Sequence, residues 1–277
     1  WQARYTLVPA GRAYTLRQIS LNKPSFPKSP SFRLDGKHAL VVGAGRGLGA
    51  ACAIALAEAG ASVSLASRTS HELELISNYI VQQGGTANHL RLDATQPAEV
   101  KACVESLGPI DILVNSAGTN RPLRIDEVNQ DDIDSLFDIN LKAAIYLARE
   151  VSISMRKHAI KGSLITVSSQ MGHVGGPKRT LYCASKHALE GMTKALAWEL
   201  GPEGIRVNTL CPTFFRTPLT EPMLADPAFR DFVIGRIALG RLGELQDIMG
   251  PIVFLASEAS SLVTGTSLMV DGGWTAQ

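Results

Sequence analysis

From residue 37 onward the chain alternates short, β-branched apolar runs with longer stretches of helical period. The runs lie at residues 38–42, 62–66, 87–92, 110–114, 163–167, 205–209 and 267–270. The helical stretches lie at about 47–59, 70–83, 97–106, 131–158, 180–200 and 245–256. Strands this uniformly apolar have no wet face, so both sides of their sheet must be covered, and the intervening helices are long enough to make the crossovers that parallel strands require. The expectation is an α/β chain: over residues 33–277, one Rossmann-like, doubly wound parallel sheet of about seven strands with helices on both faces.

Composition excludes several classes of function. Of 277 residues 45% are hydrophobic and 19% charged, with a net charge of +2 and no dense Lys/Arg cluster mixed with aromatics, so no nucleic-acid partner is expected. The longest apolar region, residues 39–66, is interrupted by Gly, Arg and Glu, and no membrane span is expected. Cys52, Cys103, Cys183 and Cys211 form no C-x-x-C pair and the six histidines no H-x-x-x-H pair; no metal is expected, and a reducing, cytoplasmic setting is. Residues 1–32 carry five cations and no acid and end in a Pro-rich stretch, reading as a loosely held basic extension, with organelle targeting as the alternative.

In a doubly wound sheet, ligands sit at the carboxyl ends of the strands, so the loops that follow strands carry the function. After the first run comes Gly43-Ala-Gly45-Arg46-Gly47-Leu48-Gly49 and then an Ala-rich helix. Glycines let the backbone turn tightly and approach a ligand, and the helix N-terminus offers free N–H groups to a pyrophosphate. Leu48 stands at the final position of the G-x-G-x-x-G spacing, so the loop is a variant of that fingerprint. At the end of the second run, Ser67 and Arg68 stand where an acid would hold a ribose 2′-hydroxyl, and Arg46 is a second cation. This favours NADP(H), with NAD(H) as the alternative.

Tyr182 and Lys186, four residues apart, fall on one face of a helix. Together with Gly43-x-x-x-Gly47-x-Gly49, Asn115-Ser-Ala-Gly118, Asn140 in Asp-Ile-Asn-Leu, and Ser168-Ser169 after the fifth run, they resemble the short-chain dehydrogenase/reductase family, classical type, from about residue 34 to 274. The resemblance implies a catalytic tetrad of Asn140, Ser169, Tyr182 and Lys186. Tyr182 would be the acid that protonates a developing alkoxide, Ser169 would bind the carbonyl oxygen, and Asn140 would anchor a water that relays protons from Lys186. Bringing a phenol from pKa 10 to about 7 needs about 4 kcal/mol, which an ammonium about 4 Å away supplies at an effective dielectric of 20.

The resemblance also carries Asp93 and Ala94 to the adenine, Asn115, Ala117 and Gly118 to the adenosine side, and Pro212 and Thr217 to the nicotinamide, with Tyr182 and Lys186 shared between cofactor and chemistry. Val42, Ser116 and Thr213 depart from the family's usual residues, Thr213 where a glycine is common. Residues 213–242, with three prolines and several large apolar groups, match the family's substrate lid. Phe214 and Phe215 are the candidate apolar substrate contacts there. Arg121 and Arg179, with Lys178, are cations suited to a substrate carboxylate. Residues 115–121 are similar to gluconate 5-dehydrogenase-type members, so the expected substrate is a sugar acid, polyol or similar small polar carbonyl compound. The alternatives are a 3-oxoacyl-acyl-carrier-protein reductase-like enzyme and an NADP-binding scaffold without turnover. The apolar faces of the two longest helices, and the family's habit of pairing them, imply a homotetramer.

Overall fold

The computed structural model describes residues 5–10, 13–18 and 26–276. The chain divides into two compact units, residues 1–30 and 31–277. In the first, strand β1 (Tyr5–Ala10) pairs antiparallel with β2 (Ala13–Gln18), Tyr5 opposite Gln18 and Ala10 opposite Ala13. The extension therefore contains paired strands that the sequence reading did not anticipate. Their reason is local: Tyr5, Thr6 and Val8 face a run holding Tyr14 and Thr15, all good strand formers, across a gap of only two residues. Of the leader expected to be loosely held or to target an organelle, residues 26–32 are exposed and outside any helix or strand, and residues 1–4, 11–12 and 19–25 lie outside those described.

The second unit holds the seven-stranded sheet. Its strands are β3 (His38–Val42), β4 (Ser62–Ser67), β5 (Thr86–Arg91), β6 (Ile112–Asn115), β7 (Ser163–Val167), β8 (Arg206–Pro212) and β9 (Ser267–Val270). They run in the order β5-β4-β3-β6-β7-β8-β9 with every pairing parallel. The connections wind outward in opposite directions from β3 and β6, which makes the crevice between those two strands the topological switch point.

Two apolar layers sandwich the sheet. One packs α1 (Gly47–Glu58), α2 (Ser70–Gln82) and α9 (Leu245–Ala256) through Leu56, Leu73, Ile252 and Leu255. The other packs α3 (Pro97–Leu107), α5 (Ala143–Lys157) and α6 (Thr180–Leu200) through Val104, Leu147, Val151 and Leu200. Ala39 to Val42 of the central strand are all buried, as strands covered on both faces must be. Edge strand β5 keeps Thr86, Asn88, His89 and Arg91 exposed.

The single helix expected over 131–158 is instead α4 (Gln130–Phe137), a π-helical turn (Asp138–Lys142) and α5. The hydrophobic period reads through a π turn because the chain direction hardly changes, although one residue is added to the turn. Asn140 sits inside it. After β8 come two short helices, α7 (Glu221–Leu224) and α8 (Pro227–Ile234), whose Leu224 and Val233 join Phe214, Ile237, Leu242 and Trp274 in a small separate core. Among the described residues no helix is long and apolar enough to cross a membrane.

Candidate active site

A cleft of about 300 Å³ opens along the carboxyl ends of β3, β4, β6, β7 and β8. Its floor is the glycine loop. Gly43 has φ +79° and a side chain there would stand 2.7 Å from the Ala117 backbone nitrogen; one at Gly49 would stand 2.1 Å from the Gly43 carbonyl. Both positions exclude a Cβ, and the loop is thereby pressed against the neighbouring strand with its helix N-terminus bared to the cleft. Gly45, Arg46, Gly47 and Leu48 line the same floor, as expected.

At the far wall, Ser67, Arg68, Asp93 and Ala94 line the cleft. Arg46 lies 3.6 Å from Glu72, whereas Arg68 is exposed and makes no ion pair among the described residues. Asp93 Oδ1 accepts from the Thr95 backbone nitrogen at 3.0 Å and the Thr95 hydroxyl at 2.7 Å. Burial works against its charge, but these bonds and the nearby Arg68 and Arg91 hold it below the usual carboxylate range. A glycine cradle at a helix N-terminus, followed by an unpaired cation where a 2′-phosphate would lie, fits a phosphorylated dinucleotide.

Of the residues given to the adenosine side, Ala117 and Gly118 line the cleft and Asn115 does not. Asn115 is 2% exposed and its Oδ1 accepts from the Ala117 backbone, so it shapes the loop from behind. Pro212 and Thr217 line the opposite side, with the Thr217 side chain about 3.5 Å from where a Gly47 side chain would begin. Thr213 takes a glycine's place without a positive φ, and its buried hydroxyl, without a protein partner, lies in the cleft wall.

Ser169, Tyr182 and Lys186 meet at the inner end of the cleft. One turn of α6 places Lys186 Nζ 5.6 Å from the Tyr182 ring centroid, and the ammonium donates to the Val167 carbonyl at 3.0 Å. Burial pushes the ammonium down to about 8, opposed by neighbouring Cys211 and Glu190. Burial likewise raises the Tyr182 phenol above its ordinary range, opposed by the Ser169 hydroxyl and the charge of Arg179. The expected lowering by Lys186 is therefore not found. The Coulomb argument omitted desolvation, which disfavours both charged forms once the two groups leave water.

Asn140, 1% exposed, stands behind this corner and outside the cleft lining. Its amide clasps the Thr119 backbone in both senses, accepting at 2.8 Å and donating at 3.0 Å, and donates to Ser185 Oγ at 3.1 Å. The π turn thus ties the loop after β6 to α6. A side chain at Gly118 would meet both Asn140 Oδ1, at 3.3 Å, and Lys186 Nζ, at 3.7 Å.

The sequence reading missed two contributors. Gln170, 2% exposed, accepts the Ser169 hydroxyl hydrogen at 2.7 Å, and Ser185 links Asn140 to the Tyr182 carbonyl. Both are adjacent to motif residues, the only signal that pointed to them. Ser168, one step from Ser169, is 3% exposed, lines the cleft as well and stands beside the Cys211 thiol.

The four substrate candidates separate. Phe215 lines the cleft; Phe214 turns into the small core, its ring 5.8 Å from Phe229 and 5.7 Å from Trp274. Arg121 is not brought to the cleft: Asp132, itself 5% exposed, takes its guanidinium. Arg121 follows a strand, which made it look available, but α4 supplies the acid from eleven residues on. Lys178 is exposed. Arg179 is likewise outside the cleft lining; it is 6% exposed, and among the described residues its guanidinium is bonded only to the Lys178 carbonyl at 3.4 Å and the Met223 sulfur at 3.3 Å.

Residues 43–275 match the family model described as enoyl-(acyl carrier protein) reductase. D-erythrulose reductase of Gallus gallus is 36% identical over 245 residues, covering 88% of this chain and 98% of the relative. Gluconate 5-dehydrogenase of Gluconobacter oxydans is 36% identical over 248 residues, covering 88% and 96%. The crystal structure of a gluconate 5-dehydrogenase from Burkholderia cenocepacia in complex with NADP and tartrate superposes with a TM-score of 0.86 at 35% identity, covering 89% and 98%. With the parallel sheet, the glycine cradle and the Ser169, Tyr182 and Lys186 corner, these likenesses place the chain in the short-chain dehydrogenase/reductase family, as an NAD(P)-dependent oxidoreductase acting on CH–OH groups.

Proposed function

We propose that the chain interconverts a ketone and a secondary alcohol with NADP(H) in preference to NAD(H), on a sugar acid or similar small polar carbonyl compound. The observation that carries the substrate class is Arg179. A buried guanidinium has five N–H donors to satisfy, and among the described residues this one has only a distant carbonyl and a thioether. Burial pushes its pKa down, the mark of a cation short of a counter-charge. It stands three residues before Tyr182, and a substrate carboxylate would supply two acceptors in the fork geometry that a guanidinium prefers. The tartrate in the Burkholderia structure is a dicarboxylate, in keeping with this reading.

In the reducing direction, the bound nicotinamide supplies the hydride. Tyr182 donates its phenolic proton to the carbonyl oxygen as negative charge develops there, and its neutral form in the free protein is the form needed. Ser169 donates a hydrogen bond to the same oxygen once it exchanges Gln170 for substrate. Lys186, held by the Val167 carbonyl, faces the phenol and restores its proton, with Asn140 fixing the loop beside it. Residues 213–242 act as the lid: Met223 on α7 already rests on Arg179, so closure and carboxylate binding engage the same contact.

Ile145 and Ile153 on α5 and Trp198 on α6 are 44%, 49% and 87% exposed, apolar surface that suits the burial of these helices in a homotetramer. Cysteines without disulfides suit a reducing, cytoplasmic setting. The test is oxidation of NADPH and NADH against 5-keto-gluconate, neutral keto sugars, cyclic diketones and acetoacetyl thioesters, with light scattering for the assembly. Turnover of the keto acid that Arg179→Met weakens through KM supports the reading. Preference for the thioester selects the acyl-carrier alternative, and cofactor binding without any turnover selects the scaffold.

A further inference from the structure

One turn of α6 beyond Lys186 lies a second polar cluster that the proposed chemistry does not use. His173 Nε2, Glu190 and Cys211 Sγ offer one ligand atom each, all within 4.8 Å of one another. His173 follows Ser169 by four residues, Glu190 follows Lys186 by four, and Cys211 immediately precedes Pro212. Imidazole, carboxylate and thiol are three donor types that zinc accepts together, whereas magnesium and calcium call for oxygen alone.

The spacing is within reach of a tetrahedral ion. Bonds of about 2.3 Å to sulfur and 2.0–2.1 Å to nitrogen and oxygen set tetrahedral edges of about 3.6 Å for N···S, 3.5 Å for O···S and 3.4 Å for N···O. The structure has 3.8 Å from His173 Nε2 to Cys211 Sγ, 3.5 Å from Cys211 Sγ to Glu190 Oε1 and 3.6 Å from His173 Nε2 to the other carboxylate oxygen, Oε2; with one ligand atom from each residue the three lie within 4.8 Å, and a small turn of the carboxylate brings a single oxygen to both edges. The carboxylate is already oriented from behind, since Glu190 Oε2 accepts the Thr209 hydroxyl at 2.7 Å and the Ser267 hydroxyl at 2.5 Å. Bonds of that kind to a ligating carboxylate are what fix a metal site's geometry.

A fourth polar group points to the same place. The Ser168 hydroxyl, 3% exposed at the residue level, stands beside the Cys211 thiol. A side chain at Gly172 would stand 3.1 Å from both Ser168 Oγ and Glu190 Oε1, so the glycine keeps clear the ground between this hydroxyl and the carboxylate. His173, whose side chain is 28% exposed, is the outermost member and the point of entry.

We infer that His173, Glu190 and Cys211 bind one zinc ion, with the Ser168 hydroxyl beside the fourth coordination position. Binding forms a metal–sulfur bond and releases the Cys211 thiol proton to solvent. Burial and the Glu190 charge push that thiol up to about 12 in the free protein, so the ion must displace a firmly held proton. All three ligands stand on segments that carry Ser169, Lys186 and Pro212, which joins occupancy of this site to the position of the catalytic corner.

The probe is Co²⁺ added to the full-length, chelator-treated chain, followed by absorbance and by metal content per chain, with Zn²⁺ as competitor. The expected result is one Co²⁺ per chain with a thiolate-to-metal charge-transfer band and the intense visible absorption of a four-coordinate ion, both erased by one equivalent of Zn²⁺. His173→Gln, at the exposed position, keeps the fold and should weaken binding on the order of 100-fold or more, at least the loss seen for residues that merely support a ligand. Cys211→Ser should remove the charge-transfer band, and Cys183→Ser should retain it. Absence of the band at saturating Co²⁺, or its survival in both His173→Gln and Cys211→Ser, overturns the site.

Discussion

Two polar clusters hang from consecutive turns of α6 and treat their polar atoms in opposite ways. Around Tyr182 and Lys186 the groups open onto a cleft, and the ammonium has one protein acceptor where it could serve three. Around Glu190 the groups close on each other: one carboxylate oxygen takes two hydroxyl hydrogens, and the other faces a thiol. The first cluster holds hydrogen-bonding capacity in reserve for a ligand at a cost in stability; the second spends its hydroxyls holding β8, β9 and α6 together. Substitutions should separate the two, changing rate in the first and stability in the second.

Tyr182→Phe should produce the largest effect, a fall in turnover of about 10²–10⁴-fold with NADPH binding and the melting temperature nearly unchanged. Steady-state NADPH oxidation and cofactor fluorescence check both halves. Unaltered turnover would remove the phenol as the proton donor and dissolve the contrast.

Lys186 sharpens the comparison through pH. Its folded pKa, about 8, lies below the ordinary 10.5, so below pH 8 the fold carries a buried charge that the unfolded chain carries in water. From pH 8 to about 10.5 the unfolded chain binds more protons than the folded one, and stability rises with pH. Relative to Lys186→Met, the native chain should therefore gain up to about 3 kcal/mol between pH 7 and pH 10, at 1.36 kcal/mol per unit. Denaturant titrations at the two pH values measure it, and a constant difference would place the ammonium in contact with solvent.

Glu190→Gln should cost about 1–3 kcal/mol of stability, because the neutral amide forfeits charge-assisted bonds to Thr209 and Ser267. Turnover of the folded fraction should change far less than in Tyr182→Phe. A variant with native stability and lost turnover would reverse the assignment of the two clusters. The smallest effect is expected at the exposed cleft wall, where Arg68→Ala should reduce the preference for NADPH over NADH about tenfold, one lost charged contact of about 1.4 kcal/mol. Paired KM values for the two cofactors decide it, and an unchanged ratio would shift the phosphate contact to Arg46.

The elements were legible because their signals are local. Strands at 38–42, 163–167 and 267–270 and the helices 180–200 and 245–256 stand where the apolar period puts them. The paired strands before residue 19 were overlooked because basic charge and prolines dominated the reading of that region. The Tyr182 and Lys186 pair was equally legible, since four residues on a helix always share a face.

The sequence by itself thus determined the parallel sheet, the glycine loop at its switch point and the one-turn spacing of the phenol and the ammonium. Tertiary structure alone decided which cations are free, because Asp132 reaches Arg121 from α4 while no acid among the described residues pairs with Arg179. It decided the direction of the Tyr182 shift, because desolvation is a property of everything packed around a group. It also brought together His173, Glu190 and Cys211, which no spacing rule connects, because the turn after β7, helix α6 and strand β8 meet only when the sheet is assembled.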